Sequence, residues 1–348
     1  MPDHELFMRR CIDLALFGAG YVSPNPLVGS VIVVDGNIIG EGYHKAYGGA
    51  HAEPNAIKDV LTKHADAEQL LKRATLYVNL EPCAHYGKRP PCSDLIIRHQ
   101  IPEVVIGCHD PFKLVDGQGI AKLKNAGIRV VENILEKECR ELNRRFFTRV
   151  QKQRPYIILK WAQTKNGYFA PADKSQRWIS SKLSKQLVHR WRAEEDAVLV
   201  GKNTALIDNP QLNVRLQPGR DPLRMVIDRN LQLPSTLHLF DQSQKTIVFN
   251  SLKTELNENI KLLELEDFDN LLPQLICYQL YLMDIQSMII EGGAQTLKLF
   301  IDAGLWDEAR VFTSSNVWTD GIPAPQLSIE PIRSELVGND ILQIVRKF

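Results

Sequence analysis

Six cysteines in 348 residues, Cys11, Cys83, Cys92, Cys108, Cys139 and Cys277, are too few for a disulfide scaffold. Charge of one sign is also missing. Forty-two basic residues against 41 acidic ones leave a formal net charge of +1, so no global field argues for nucleic acid or an anionic membrane as partner. No run reaches the roughly 18 apolar residues of a membrane span. The stretch MPDHELFMRRCIDLALFGAG is broken by charges and has no signal-peptide core. There is no internal repeat, no low-complexity tract and no G-x-G-x-x-G, so a standard Rossmann domain is not indicated. These absences predict a cytoplasmic globular protein of ordinary composition, in a reducing compartment that disfavours a Cys83–Cys92 disulfide. At roughly 100–200 residues per domain, two domains are expected.

The periodicities predict two α/β domains with a boundary near residue 150, 1–150 and 151–348. In the first, residues 3–19 repeat apolar positions at helical spacing, and SPNP breaks them. VGSVIVVDGNIIGEGYH reads as a hairpin turning at Asp35-Gly36. A helix starts near His51, TLYVNLEP is a strand, CSDLIIRHQ a helix, VVIGCHDP a strand, and GIAKLKNAGIRVV a helix leading into a strand. ECRELNRRFFTRVQKQRP reads as one charged helix ending at Pro155. Beyond it, PYIILKWAQ, AVLVG, PLRMVID and KTIVFN read as strands, SKLSKQLVHRWRAEEDA as a helix, and SMIIEGGAQTLKLFIDAG as strand, Gly-Gly turn and helix. Residues 251–285 are acidic and leucine-rich and give only packing signals.

The chemistry concentrates first in His51-Ala-Glu53 and in LEPCAHYGKRPPC, residues 80–92. H-x-E followed by P-C and a second Cys is the pattern of zinc nucleobase deaminases. One imidazole and two thiolates, His51, Cys83 and Cys92, would fill three tetrahedral corners of Zn²⁺ and leave the fourth to water. Glu53 would move protons between that water and the ring. His51 and Glu53 can converge only at a helix start, because residues two apart in a helix diverge by roughly 200°. Eight residues separate the cysteines instead of the common two. A closed zinc knuckle with His85 as fourth ligand is the structural alternative, and it leaves Glu53 without a role. The remaining cysteines read as core residues, and His44, His64, His99 and His189 as surface or packing histidines.

PNPLVGSVIV, HAEPNAI, LEPCAHYGKRPPCSDLII and DPFKLVDGQGI resemble the deaminase half of the bifunctional deaminase/reductase family of riboflavin biosynthesis, which has this longer cysteine spacing. RPYIILKWAQTKNG, HRWRAEEDAVLVGKNTALIDNPQLNVR, PLRMVID and IIEGGAQTL are similar, in order, to its reductase half. The match is weak only over about 232–285. The resemblance implies an N-terminal cytidine-deaminase-like three-layer α/β/α domain and a C-terminal dihydrofolate-reductase-like α/β domain. It implies zinc and NADPH as cofactors, a phosphorylated pyrimidine as small-molecule substrate, and self-association through the reductase domain. Ala162, Trp178, Thr204, Asp208 and the run from Gly293 match NADPH-contacting positions. Arg192, Leu212, Arg215 and Glu291 match substrate-contacting ones, and Asn25 a base-contacting one.

By their chemistry, Arg192 and Arg215 offer rigid forks for a sugar phosphate, Glu291 an acceptor for sugar hydroxyls or the base, and Lys160 a cation on the same strand as Ala162. His85, Lys88 and Arg89 offer charge for a phosphate, or else form a solvated loop. Asn166 stands where the family usually has Asp, and Gln176, next to Ser175, where it often has Ser or Thr. A nucleic-acid deaminase with an appended domain shares the zinc chemistry, but it leaves EGGAQTL and GKNTALIDNP unexplained and lacks the phosphate-attracting charge. A zinc-stabilised scaffold without catalysis is a third reading.

Overall fold

The computed structural model describes residues 3–84, 86, 90–112, 115–173, 175 and 179–347. The chain divides into two compact units, Met1–Lys152 and Gln153–Phe348.

The first unit runs α1 (His4–Leu16), β1 (Gly29–Val34), β2 (Asn37–Tyr43), α2 (Ala52–Lys63), α3 (Ala67–Leu71), β3 (Thr75–Leu80), α4 (Cys92–Arg98), β4 (Glu103–Cys108), α5 (Gln118–Asn125), β5 (Arg129–Val131), α6 (Glu136–Leu142) and α7 (Arg144–Lys152). Its sheet has the order β2-β1-β3-β4-β5, antiparallel from β2 to β3 and parallel from β3 to β5. Side chains alternate across the pleat. Ile32, Leu76, Val78, Val104 and Ile106 pack with Ile57, Ile96 and Leu123 of α2, α4 and α5. Val31, Tyr77 and Val105 face Met8 and Cys11 of α1, Cys139 of α6 and Phe146 of α7. Both faces are therefore covered, which makes the three layers, and near-continuous apolar strands are what double coverage requires. At Gly42 on β2 a Cβ would collide with Ala52 O and Ala56 N, so glycine lets the first turn of α2 lie directly on the sheet.

The second unit continues with β6 (Tyr156–Gln163), β7 (Tyr168–Ala170), α8 (Lys182–Glu194), β8 (Ala197–Gly201), α9 (Lys202–Asp208), β9 (Leu223–Ile227), β10 (Thr246–Asn250), β11 (Glu255–Leu256), β12 (Ile260–Glu264), α10 (Leu272–Leu282), β13 (Ser287–Ile290), α11 (Ala294–Asp302), β14 (Glu308–Thr313), β15 (Ile322–Pro323), β16 (Arg333–Val337) and β17 (Asp340–Arg346). Ten strands form one sheet, β11-β12-β10-β9-β8-β13-β6-β14-β17-β16, parallel from β12 through β14 and antiparallel at its margins. Leu159, Met225, Phe249 and Ile290 face Ile276, Leu280 and Phe300 of α10 and α11. The opposite face packs on Val188 and Trp191 of α8 and Ala205 of α9.

Three sequence expectations change. The charged helix before Pro155 is two helices, α6 and α7, parted at Asn143. That side chain is buried against the backbone of Leu27, taking its N–H at 2.7 Å and donating to its C=O at 2.9 Å. Residues 251–285 hold β11, β12 and α10. Periodicity assigned no element after the Gly-Gly helix, yet β14 is an interior strand and β17 pairs with it over six residues.

Candidate active sites

His51 is the N-cap of α2, in extended conformation (φ −68°, ψ 176°), and its ring makes no capping bond. Glu53 lies in the first turn, 3% exposed. This junction turns both side chains toward one cavity, as a regular helix would not. Cys83 follows the end of β3, and Cys92 opens α4 with its N–H 3.3 Å from Cys83 Sγ. His51 Nδ1 lies 3.7 Å from Cys83 Sγ and 3.3 Å from Cys92 Sγ, and the three ligand atoms fall within 4.8 Å of one another. Among the described residues no other group of His, Cys, Asp or Glu side chains converges in this way.

Zinc fits this donor set. Bonds of ~2.3 Å to sulfur and ~2.0 Å to nitrogen at a tetrahedral angle put S and N about 3.5 Å apart. Hydrogen bonding from Cys92, then from His51, holds the Cys83 thiol down to about 4, while sharing with Cys83 and burial push Cys92 up. A divalent cation removes that competition and lets both sulfurs ionise. Glu53 hydrogen-bonds to Cys92, and burial raises its carboxyl above the usual range. His85, Lys88 and Arg89 lie outside the described residues.

The cavity beside this cluster measures about 360 Å³. Asn25 lines it, with Nδ2 3.0 Å from His44 Nε2. His44 Nδ1 lies 2.9 Å from Ala50 O, which can only accept, so Nδ1 carries the proton and Nε2 accepts from Asn25. Burial favours that neutral ring. His44, read from the sequence as a surface or packing histidine, thus orients the Asn25 amide.

Sequence reasoning also passed over Glu81. Its buried carboxylate accepts four backbone N–H groups: Gly119 (3.0 Å) and Ile120 (3.2 Å) on Oε1, Gly117 (3.1 Å) and Asp110 (3.3 Å) on Oε2. It ties the segment bearing Asp110, Phe112 and Val115 to the end of β3. Burial pushes Asp110 up to about 7. The only available signal was an acid in L-E-P-C at a strand end.

In the second unit a cavity of about 740 Å³ opens at the carboxyl ends of the parallel strands, where open α/β sheets bind ligands. Lys160, Ala162, Thr204, Asp208, Glu291 and Gly293 all line it. Lys160 and Ala162 share one face of β6. Ile290 of β13 pairs with Leu159, which brings the following Glu291 beside Lys160. Thr204 and Asp208 stand one turn apart on α9. Gly293, at φ 73°, caps α11, and a Cβ on Gly292 would meet Thr204 Cγ2 at 2.7 Å, so the Gly-Gly pair brings backbone N–H groups close to α9.

Arg192, Leu212 and Arg215 lie outside that lining. Arg192 closes its fork on Glu291, with Nε to Oε1 at 2.6 Å and Nη2 to Oε2 at 2.7 Å, and Nη1 donates to Asn213 O. Burial alone would raise Glu291, but Arg192 and Lys160 hold it below the ordinary carboxylate range. Burial lowers Lys160, and Glu291 opposes this. His189 accepts from Arg215 N at 3.2 Å and is pushed down to about 4 by burial, then by Arg192 and Arg215. The Leu212 side chain is in the core with Leu239 and Val248. Asn166 donates to Trp318 O at 2.6 Å and accepts from Trp318 N and Thr164 Oγ1, a pattern an ionised Asp cannot complete. Trp178 and Gln176 lie outside the described residues.

Comparison with known proteins finds relatives for both units. Residues 1–108 match the cytidine and deoxycytidylate deaminase zinc-binding region, and residues 155–318 the RibD C-terminal domain. The riboflavin biosynthesis protein RibD of Aquifex aeolicus is 40% identical over 95% of this chain and 92% of that protein. The RibD of Escherichia coli is 34% identical over 88% and 86%. The crystal structure of a diaminohydroxyphosphoribosylaminopyrimidine deaminase/5-amino-6-(5-phosphoribosylamino)uracil reductase from Thermotoga maritima superposes with a TM-score of 0.90 at 38% identity, covering 99% of each chain. Acinetobacter baumannii RibD gives 0.87 at 32%, over 99% and 98%. A zinc-type cysteine–histidine cluster in the first unit, a ligand cavity at the strand ends of the second, and homology across both place the chain in the RibD family, the zinc- and NADPH-dependent bifunctional deaminase/reductases of riboflavin biosynthesis.

Proposed function

We propose that residues 1–150 deaminate 2,5-diamino-6-ribosylamino-4(3H)-pyrimidinone 5′-phosphate and that residues 151–348 reduce the ribosyl side chain of 5-amino-6-(5-phosphoribosylamino)uracil to ribityl. The observation that carries the first step is the convergence of His51, Cys83 and Cys92 beside a buried Glu53. His51, Cys83 and Cys92 hold the metal. Zinc, when bound, acidifies water so that a nucleophile is available at neutral pH. Glu53 takes one proton of the attacking water on a carboxylate oxygen and passes it to the ring nitrogen; it then takes the remaining proton of the added hydroxyl, which becomes the carbonyl, and delivers it to the departing amine as the C–N bond breaks. Asn25, with its amide set by His44, hydrogen-bonds the base.

In the second unit NADPH, when bound, supplies the hydride. Ala162, Trp178, Thr204, Asp208 and Gly293 would hold the cofactor, the backbone N–H groups at the start of α11 being suited to a phosphate. Arg192 fixes the orientation of Glu291, which accepts from the sugar hydroxyls or the base. Lys160 lies beside it, Leu212 offers the substrate its backbone because its side chain is in the core, and Arg215 offers a cation to the sugar phosphate. The partner is a small phosphorylated pyrimidine and not nucleic acid. The chain acts in the cytoplasm and self-associates through the reductase unit, which sedimentation velocity of the whole chain checks. Among the described residues no helix is long and apolar enough to cross a membrane.

Glu53→Gln tests the central assignment. Ammonia release should fall by at least ~100-fold, the scale of general acid–base catalysis, with zinc content unchanged. Release at the wild-type rate would refute the role given to Glu53.

A further inference from the structure

The deaminase cavity has an imbalance of charge. Among its described lining residues stand three carboxylates, Glu53, Glu81 and Asp110, and only one Lys or Arg, Arg149. Glu81 is spent on four backbone N–H groups. A phosphorylated substrate entering such a cavity needs a cation to offset its own charge.

Arg149 comes from α7, the last helix of the first unit. Phe146, Arg149 and Val150 stand at i, i+3 and i+4, so one face of α7 forms this wall of the cavity. Of the basic residues of α7, Arg149 is the one on that face. The wall is rigidly held. Asn143, just before α7, takes the Leu27 N–H and donates to its C=O, and Asn79 donates to the same C=O at 3.0 Å and takes the Gly29 N–H at 2.7 Å. Both asparagines are buried. The two amides lock the start of α7 to the chain two residues beyond Asn25. Asn25 and Arg149 line the same cavity, each a few residues from this clamp.

We propose that Arg149 binds the phosphate of the deaminase substrate, as a forked cation presented by α7 at a fixed offset from Asn25. The inference rests on the deaminase reading given above. It concerns binding that is equal in the ground and transition states, so it acts on KM and leaves kcat nearly alone.

The test compares wild type with R149M and R149K, assayed for ammonia release on the 5′-phosphorylated pyrimidine and on its unphosphorylated ribosylamino counterpart, with zinc content as the check on folding. R149M should raise KM for the phosphorylated substrate by roughly 10- to 100-fold, the worth of a charge-assisted hydrogen-bond pair. It should handle the unphosphorylated compound as wild type does, and R149K should recover part of the loss. Equal penalties on both substrates would reduce Arg149 to a structural residue and overturn the proposal. So would an unchanged KM for the phosphorylated substrate in zinc-loaded R149M, and that result would leave the deaminase reading intact. Wild-type protein that released no ammonia from either compound would sink both.

Discussion

Replacing Glu81 by Gln is the most informative perturbation of the first unit, because the geometry fixes what must be lost. Each carboxylate oxygen accepts two backbone N–H groups. An amide keeps one oxygen and turns an NH₂ onto the other pair, so either Gly119 and Ile120, or Asp110 and Gly117, face donors. Two buried N–H groups without acceptors cost about 1–3 kcal/mol each. The favourable charge at the start of α5, worth up to ~1 kcal/mol, goes as well. Allowing for relaxation of the segment after Asp110, the loss should come to about 3 kcal/mol. That is a large part of the ~5–15 kcal/mol that holds a domain folded. Hydrogen exchange reads it locally. The amides of residues 117–120 should exchange roughly 100-fold faster at constant pH, since each ~1.4 kcal/mol is tenfold. Asp110, Phe112 and Val115 line the cavity, so KM for deamination should rise while His51, Cys83 and Cys92 keep their zinc. Exchange within about twofold of wild type would show that the four contacts carry no net stabilisation, and the reasoning would be wrong.

Arg192→Met should leave Glu291 buried without its fork. Removing one partner of a buried pair costs ~3–5 kcal/mol, and with Lys160 nearby the lower figure is expected. Urea unfolding of the second unit should shift accordingly, Arg192→Met/Glu291→Gln should recover part of it, and an unshifted single variant would contradict the pairing. His189, held at about 4 against an ordinary ~6.5, binds fewer protons folded than unfolded between those values. Its contribution to stability is therefore complete above about pH 6.5 and is lost as pH falls toward 4. A pH series of unfolding midpoints should lose part of its slope in that window in His189→Gln, and identical slopes would refute the assignment. NADPH at a hundred times its Kd should stabilise the folded second unit by ~2.7 kcal/mol. Absence of any thermal shift at millimolar NADPH would count against the cofactor cavity.

The sequence by itself determined the local features: the alternating strands, the hairpin at Asp35-Gly36, a helix opening at His51 and another at Cys92, and the strand–Gly-Gly–helix whose helix opens after Gly293. These depend on periods of 2 and 3.6 and on turn chemistry, which a short window carries completely. The ligand types at the zinc cluster were legible for the same reason, since coordination chemistry restricts them to few residues. Only the tertiary structure decided what depends on long-range pairing. Asn143 breaks a helix because Leu27, far away in sequence, offers it a backbone N–H and C=O. Glu81 matters because the start of α5 and the segment before it point four amides at it. Arg192 meets Glu291 because β13 lies beside β6 and α8 packs behind them. β14 and β17 carry no strong local signal and become strands because each completes the other's hydrogen bonds. A side chain's partners are set by which elements the fold makes neighbours, and no local period records that.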